Sequence, residues 1–275
     1  MSAPVFVVPR EALATVSAGS VVRLDGGEGR HAVTVRRLSV AEPIRLVDGH
    51  GRSALGRVVE ILGKDALTVD VESVTDEAEG QPRFVVAQAL AKGDRGELAV
   101  ELLTEVGVDE IIPWAAANCV VRWREDRADK ARQRWADACV AAAKQARRSR
   151  FPELAAVVST SGLADRVAGA ALALVLHEEA SMPLSGVTVP KDGEILLVVG
   201  PEGGISAAEI DALTGVGAVA VRLGPTVMRT SSAGMAAAAA LLARTERWSG
   251  MERRAGPGRS SETGPATAWK DDHHE

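Results

Sequence analysis

The 275-residue sequence has two cysteines, no tyrosine and only 3% aromatic residues. Cys119 and Cys139 form no Cys-x-x-Cys pair and have no histidine at ligand spacing. That pattern argues against a zinc site or a disulfide framework and leaves both as reduced packing thiols; no metal is expected. Long apolar runs are missing too. The longest, Met235 to Ala243, is nine residues and Ala-rich, well short of the ~20 that span a bilayer. The start, "MSAPVFVVPREAL", lacks the basic opening and long apolar stretch of a signal peptide. The expectation is a soluble, cytoplasmic protein with no membrane partner. Phosphate cradles and hydrolase signatures are equally scarce. No Walker A motif occurs, "GPEGGIS" has the wrong spacing for Gly-x-Gly-x-x-Gly, and there is no Gly-x-Ser-x-Gly elbow. Outside the last residues the only histidines are His31, His50 and His177, which leaves little for a Ser-His-Asp site.

What is present points to a folded protein in two parts. Apolar residues make up 46%, enough for a sizeable core. The first 75 residues or so carry short Val/Ile/Leu-rich runs, "VVRLDG", "PIRLVDG", "SALGRVVEIL" and "ALTVDVESV", separated by turn clusters. They predict a small β-barrel or sandwich over residues 1–75. Thr75 to Pro82, polar with Gly and Pro, reads as a linker. Beyond it strands alternate with helices over residues 82–249, the pattern of a mostly parallel α/β sheet. "RFVVAQAL" and "DEIIPW" are strands, and "ALALVLH", "EILLVVG" and "VAVRLG" are continuous apolar runs typical of strands buried on both faces. The helix in "GDRGELAVELLTEVG" places Leu98, Leu102 and Val106 on one face and closes at Gly107. A longer one, Ala128 to Arg148, aligns Trp135, Cys139 and Ala142. Residues 250–275, rich in Gly, Pro and Ser and holding Trp269, His273 and His274, are expected to be a disordered tail.

Two strand-to-helix loops stand out, "LLVVGPEGGISAAEI" and "AVRLGPTVMRTSSAGMAA". Pro201 and Pro225 stiffen them, while Gly203, Gly204 and Gly224 leave backbone amides open to close approach. Loops of this kind suit a planar, hydrogen-bonding heterocycle better than a triphosphate, and Glu202 disfavours an anion. Each loop alone is also readable as a tight turn without a ligand; the pair favours one shared site at the carboxyl ends of the strands. Ser206 and Glu209 form a capping box that starts the helix after the first loop. Net charge is −5, yet Arg122 to Arg150 holds ten Lys/Arg against four Asp/Glu. This basic stripe is either a footprint for a polyanion or a solvated helix face.

The paired "LVVGPEGGISAAEI" and "VRLGPTVMRTSSA" resemble the signature of the SPOUT methyltransferases, and within them the RsmE family, which methylates N3 of a uridine in 16S rRNA. "HAVTVRRL" and "IRLVDGHG" are similar to the family's PUA-like RNA-binding barrel. "AKGDRGELAVELLTEVGVDEIIP" and "AAAKQARRSRFPE" resemble parts of its catalytic domain. The resemblance spans about residues 5 to 248. It implies a deep C-terminal trefoil knot, an exception to the usual absence of knots, together with a homodimer and S-adenosylmethionine as cofactor. Carried over by position, the cofactor residues are Leu176 and His177, then Gly200, Pro201, Glu202, Gly203 and Gly204, then Leu223, Gly224, Met228 and Arg229. Arg229 is the expected stabiliser of a developing uracil anion; a salt bridge or phosphate contact is its alternative. Glu202 is a weaker candidate for general base. RNA contacts are expected from His31, Arg37, Lys92, Arg95 and Arg148, each of which is alternatively a solvated or satisfied side chain. Trp123 is expected to be buried rather than stacked on a base. The chain departs from the family in one place. Where Arg-Thr-Glu-Thr-Ala is common, it reads Arg229-Thr230-Ser231-Ser232-Ala233, with either serine a candidate cap for the last helix. Rival expectations are another SPOUT chemistry and a non-catalytic RNA-binding ribosome assembly factor.

Overall fold

The computed structural model describes residues 3–123 and 125–249; Arg124 and the tail from Gly250, with Trp269, His273 and His274, lie outside the described residues. Alternation of apolar and polar residues in the first part produces strands with one buried face. β1 (Val5–Val7) is followed by a short helix α1 (Arg10–Leu13), then β2 (Val21–Leu24) and α2 (Gly26–Arg30), which runs on into a π-helical turn at His31–Val35. β3 (Pro43–Val47), β4 (Arg52–Leu62) and β5 (Ala66–Asp76) complete a five-stranded sheet in the order β1-β3-β4-β5-β2. Among the described residues β1 and β3 pair in parallel, while β3–β4, β4–β5 and β2–β5 are antiparallel. Phe6, Leu13, Leu24, Ile44, Leu46, Leu67 and Val69 form its core.

The second part is built on β6 (Arg83–Ala89), α3 (Arg95–Val106), β7 (Glu110–Trp114), α4 (Glu125–Gln145), β8 (Glu153–Leu154), α5 (Thr160–Gly169), β9 (Leu172–Leu176), β10 (Met182–Pro183), β11 (Glu194–Val199), α6 (Ala207–Gly215), β12 (Val219–Arg222), α7 (Thr230–Leu242) and α8 (Glu246–Ser249). All seven strands are parallel, in the order β10-β12-β9-β11-β6-β7-β8. The central β11, between β9 and β6, is buried from Ile195 through Val199, as its unbroken apolar run requires. At the amino edge of this sheet, Arg83 and Arg166 clamp Glu110 and Glu194. Burial alone would raise the pKa of Glu110, but the two guanidiniums hold it below the usual carboxylate range. Among the described residues no helix is long and apolar enough to cross a membrane. Both cysteines are free and buried, and burial pushes the Cys139 thiol up to about 11.

Three expectations need correction. α3 ends at Gly107, left-handed at φ 104° as expected, but the face it buries is Gly96, Ala99, Val100, Leu103 and Thr104. Leu98 is exposed, while Leu102 and Val106 are only partly covered. Small residues win this face because α3 sits tightly against its neighbours: a Cβ on Gly96 would stand 3.0 Å from the Trp135 ring. α4 stops at Gln145, three residues before the expected Arg148, and the chain turns away through Arg147 at φ 58°. Arg148 then folds inward. Its guanidinium donates to the carbonyls of Thr104 (2.8 Å) and Val108 (2.9 Å) through Nη1 and to Arg150 (2.8 Å) through Nε, and burial lowers its pKa. It ties α3 to the end of α4 and is no longer a candidate RNA contact.

The barrel docks on this same corner. Lys144 binds Glu28 at 2.7 Å, Gly51 N–H donates to the Ser149 carbonyl at 3.0 Å, and Arg150 donates to the Glu77 carbonyl at 2.9 Å. Because β8 starts at Glu153, opposite Glu110 at the start of β7, these contacts lie at the amino edge of the large sheet.

Candidate active site at the carboxyl edge

The ends of β9, β11 and β12, neighbours in the sheet, deliver Leu176-His177, the loop from Gly200 and the loop from Leu223 to one place. Between them lies a cavity of about 310 Å³ lined by Leu176, His177, Gly200, Pro201, Glu202, Gly204, Met228 and Arg229. A smaller recess of about 70 Å³ adds Leu223 and Gly224. Together they bring in every expected cofactor residue except Gly203. The carbonyls of Gly203 and Gly204 both accept from Asn118 Nδ2 at 3.2 Å.

The first loop is shaped by close packing. A side chain at Gly200 would meet Ile205 at 2.6 Å, and Gly204 takes φ +74°, a conformation glycine reaches without strain. Its amide returns to the Pro201 carbonyl at 2.9 Å. The capping box that launches α6 is formed as expected, and Glu209 does more than cap. It is 5% exposed and accepts from the Ala117 amide (2.8 Å), the Thr160 hydroxyl (2.9 Å) and the Ser206 hydroxyl (2.8 Å). Burial pulls its pKa up, and these donors outweigh it and hold the carboxyl below its usual range.

The second loop is anchored from beneath. Thr230, the first residue of α7, donates its hydroxyl to the Gly200 carbonyl at 2.6 Å and accepts from Gln88 Nε2 at 3.0 Å. Neither serine caps the helix. Arg229 occupies the cap position, Ser232 donates back to the Arg229 carbonyl at 3.3 Å, and Ser231 is buried.

Charged groups gather at the mouth. Glu202 accepts from the Lys92 amide at 3.4 Å and lies 3.6 Å from the Arg95 guanidinium. Arg229 is exposed on the rim. His177 Nδ1 accepts from the Glu179 amide at 3.2 Å, so the neutral ring carries its proton on Nε2. Lys92 and Arg95, expected to meet RNA, are therefore at the mouth of this cavity, whereas His31 and Arg37 are on the barrel. His31 packs edge-on against Phe6 at 5.9 Å. With Arg36, Lys144, Gln145 and Arg147 it lines a groove of about 470 Å³ between the barrel and α4. Trp123 is partly buried against Trp135, ring centroids 5.2 Å apart, consistent with packing. Gln88, Asn118, Glu178 and Arg36 escaped the sequence reading. Only Thr230 carried a signal, as part of the second loop motif.

Comparison with known proteins bears on this arrangement. Residues 79–242 match the model of an RNA methyltransferase domain, and residues 24–72 that of an RNA methyltransferase PUA domain. The chain is 47% identical over 235 residues to the ribosomal RNA small subunit methyltransferase E of Mycobacterium bovis, covering 84% of this chain and 89% of that protein. It belongs to the ribosomal RNA small subunit methyltransferase E family. The family member of Bacillus subtilis is 32% identical over 231 residues, covering 81% of this chain and 90% of that one. Two solved relatives share the architecture. A Legionella pneumophila methyltransferase with bound cofactor SAM aligns at TM-score 0.78 and 27% identity, over 89% of this chain and 99% of that one. The methyltransferase E of Neisseria gonorrhoeae, bound to S-adenosyl methionine, aligns at 0.77 and 25%, over 89% and 98%. Methyltransferase E membership accounts for both parts of the chain, the barrel and the parallel sheet.

Proposed function

We propose that the chain is an S-adenosylmethionine-dependent methyltransferase acting on N3 of a uridine in 16S rRNA. The cavity between the three loops carries this reading. Its volume lies at the lower end of the ~300–1,000 Å³ usual for small-ligand sites. Its wall sets the acids Glu178 and Glu202 beside apolar Leu176, Val199, Ile205 and Met228, with Arg95 and Arg229 as its cations, a mixed lining that suits a ligand carrying both a cationic centre and a carboxylate. Those features fit S-adenosylmethionine, held by Leu176, Gly200, Pro201, Gly204 and Met228. Bound there, the cofactor supplies an activated methyl group.

The chain's own residues supply position and charge. Transfer to a uracil nitrogen gains most from alignment of the two reactants, and the N3 proton must leave. Arg229, exposed on the rim, is placed to stabilise the negative charge that develops on the base. Glu202 is already engaged by Arg95 and the Lys92 amide, which makes it a mouth-shaping carboxylate rather than the base. His177, with Nδ1 occupied, offers the cavity a donor.

RNA is read on the barrel side, with residues 1–75 as the binding domain and 82–249 as the methyl-transfer domain. The groove of His31, Arg36, Lys144 and Arg147 suits a phosphate backbone. A trefoil-knotted C-terminal part, a homodimer and a cytoplasmic location belong to the same reading and rest on family membership. The decisive experiment maps tritiated methyl groups from S-adenosylmethionine onto small-subunit RNA, followed by nucleoside analysis. A 3-methyluridine is the expected product. A ribose methyl would assign another chemistry, and no incorporation would leave an RNA-binding assembly role.

A further inference from the structure

We infer that Gln88 is a positioning residue for the cofactor site, acting through Thr230. Gln88 lies near the end of β6 and is fully buried, at 0% exposure. Its Nε2 donates at 3.3 Å to the neighbouring Ala89 carbonyl and, more closely, across to Thr230 of α7, and the directions of the bonds in this second chain are forced. The Gly200 carbonyl can only accept, so the Thr230 hydroxyl must donate to it at 2.6 Å. The hydroxyl then presents only lone pairs to Gln88, which must offer its N–H at 3.0 Å. One end of the chain holds the first residue of the loop beginning at Gly200; the middle holds the residue next to Arg229. A buried donor in the sheet therefore sets the spacing of the two loops that form the cavity.

A second observation separates this role from ordinary core packing. Gln88 Oε1 is buried with no hydrogen-bond partner. A dry, unpaired acceptor is a cost that an apolar side chain of similar volume would not carry. For stability alone methionine would serve better at this position, so the amide is explained by its donor and by where that donor points. Gln88 does not itself line the cavity; it touches the wall only through Thr230, which does, and it is not a catalytic residue.

The inference rests on the cofactor reading above, and the test uses a readout other than turnover. S-adenosylmethionine affinity is measured by calorimetry for the full chain and for Gln88→Met, Gln88→Glu, Thr230→Val and Thr230→Ser, with thermal midpoints alongside. Gln88→Met keeps volume but removes the donor. Gln88→Glu keeps shape but can only accept when ionised. Both, and Thr230→Val, should weaken binding by about five- to tenfold, the scale expected when the Gln88–Thr230 hydrogen bond is lost. Thr230→Ser keeps the hydroxyl and should bind within about twofold of the unmodified chain. The Gln88→Met, Thr230→Val double variant should bind no more weakly than either single one, because the two residues act as one chain. Gln88→Met should melt no lower than the unmodified chain while binding more weakly, a combination that a purely structural role does not produce. Unchanged affinity in Gln88→Met, or losses that add in the double variant, would overturn the inference. No binding by the unmodified chain would overturn the cofactor reading and this one with it.

Discussion

Arg229 and Glu209 show how differently two charged side chains can serve one site. Arg229 is exposed on the rim and caps α7 with its backbone, not its side chain, so removing its guanidinium leaves the loops intact. Arg229→Ala is expected to lower turnover by about 100-fold or more while cofactor affinity stays within about threefold. Steady-state kinetics set beside calorimetry read both, and near-normal turnover would refute the assignment. Glu209 works from inside. Its folded pKa lies below the ordinary value near 4.5, so its ionised form is favoured by folding. The stabilisation is complete above that ordinary value and is lost as pH falls through the lower folded one. Glu209→Gln should cost about 1–3 kcal/mol at neutral pH, because buried donors lose their charged acceptor. The same change should flatten the loss of stability on acidification, so denaturant melts at pH 7 and pH 4 should differ less than those of the unmodified chain.

α3 is where sequence pattern and packing part company. Counting large apolar residues picks out Leu98, Leu102 and Val106, a regular one-face series, yet the helix turns Gly96, Ala99, Val100 and Leu103 to the core. The pattern misleads because close contact with α4 and α7 favours small residues, which carry little hydrophobic signal. Leu98→Gln should therefore change stability by no more than about 0.5 kcal/mol, whereas Leu103→Ala should cost about 2–5 kcal/mol. Denaturant midpoints of the two variants decide which face is buried. The strands were far more legible. Runs such as Ile195 to Val199 are unbroken because both sheet faces are covered, and the Ser206–Glu209 box is a purely local signal. The loops of the cavity were legible for a related reason: Gly200, Pro201 and Gly204 mark backbone geometry within a few residues of one another. Gln88, Asn118 and the Ala117 and Thr160 partners of Glu209 were not. Their roles depend on contacts between segments 49 to 142 residues apart, a relation no local pattern encodes. Arg148 failed for the converse reason, since a basic run does not reveal which of its members turns inward onto carbonyls.

The barrel contacts and the cavity sit at opposite edges of the large sheet. The barrel is fixed at the amino edge by Glu28, Gly51 and Glu77, and the cofactor loops open at the carboxyl edge. α4, with 21 residues, runs between these edges over about 31 Å. An RNA that touches the barrel groove and places a base at the cavity of the same chain must span a comparable distance, so backbone contacts far from the reacting base contribute to binding. The groove's Arg36 and Arg147 are both exposed, and neither touches the cofactor cavity, which makes them the clean pair to remove. Arg36→Gln combined with Arg147→Asn is the suitable variant, because asparagine tolerates the left-handed backbone at position 147 (φ 58°). If both guanidiniums meet phosphates, the slope of log affinity against log salt should become shallower by about 1.5, at roughly 0.7–0.9 per contact. Affinity for small-subunit RNA should fall most at low salt, and calorimetric binding of S-adenosylmethionine should be unchanged. A slope equal to that of the unmodified chain would place the RNA on another face of the barrel.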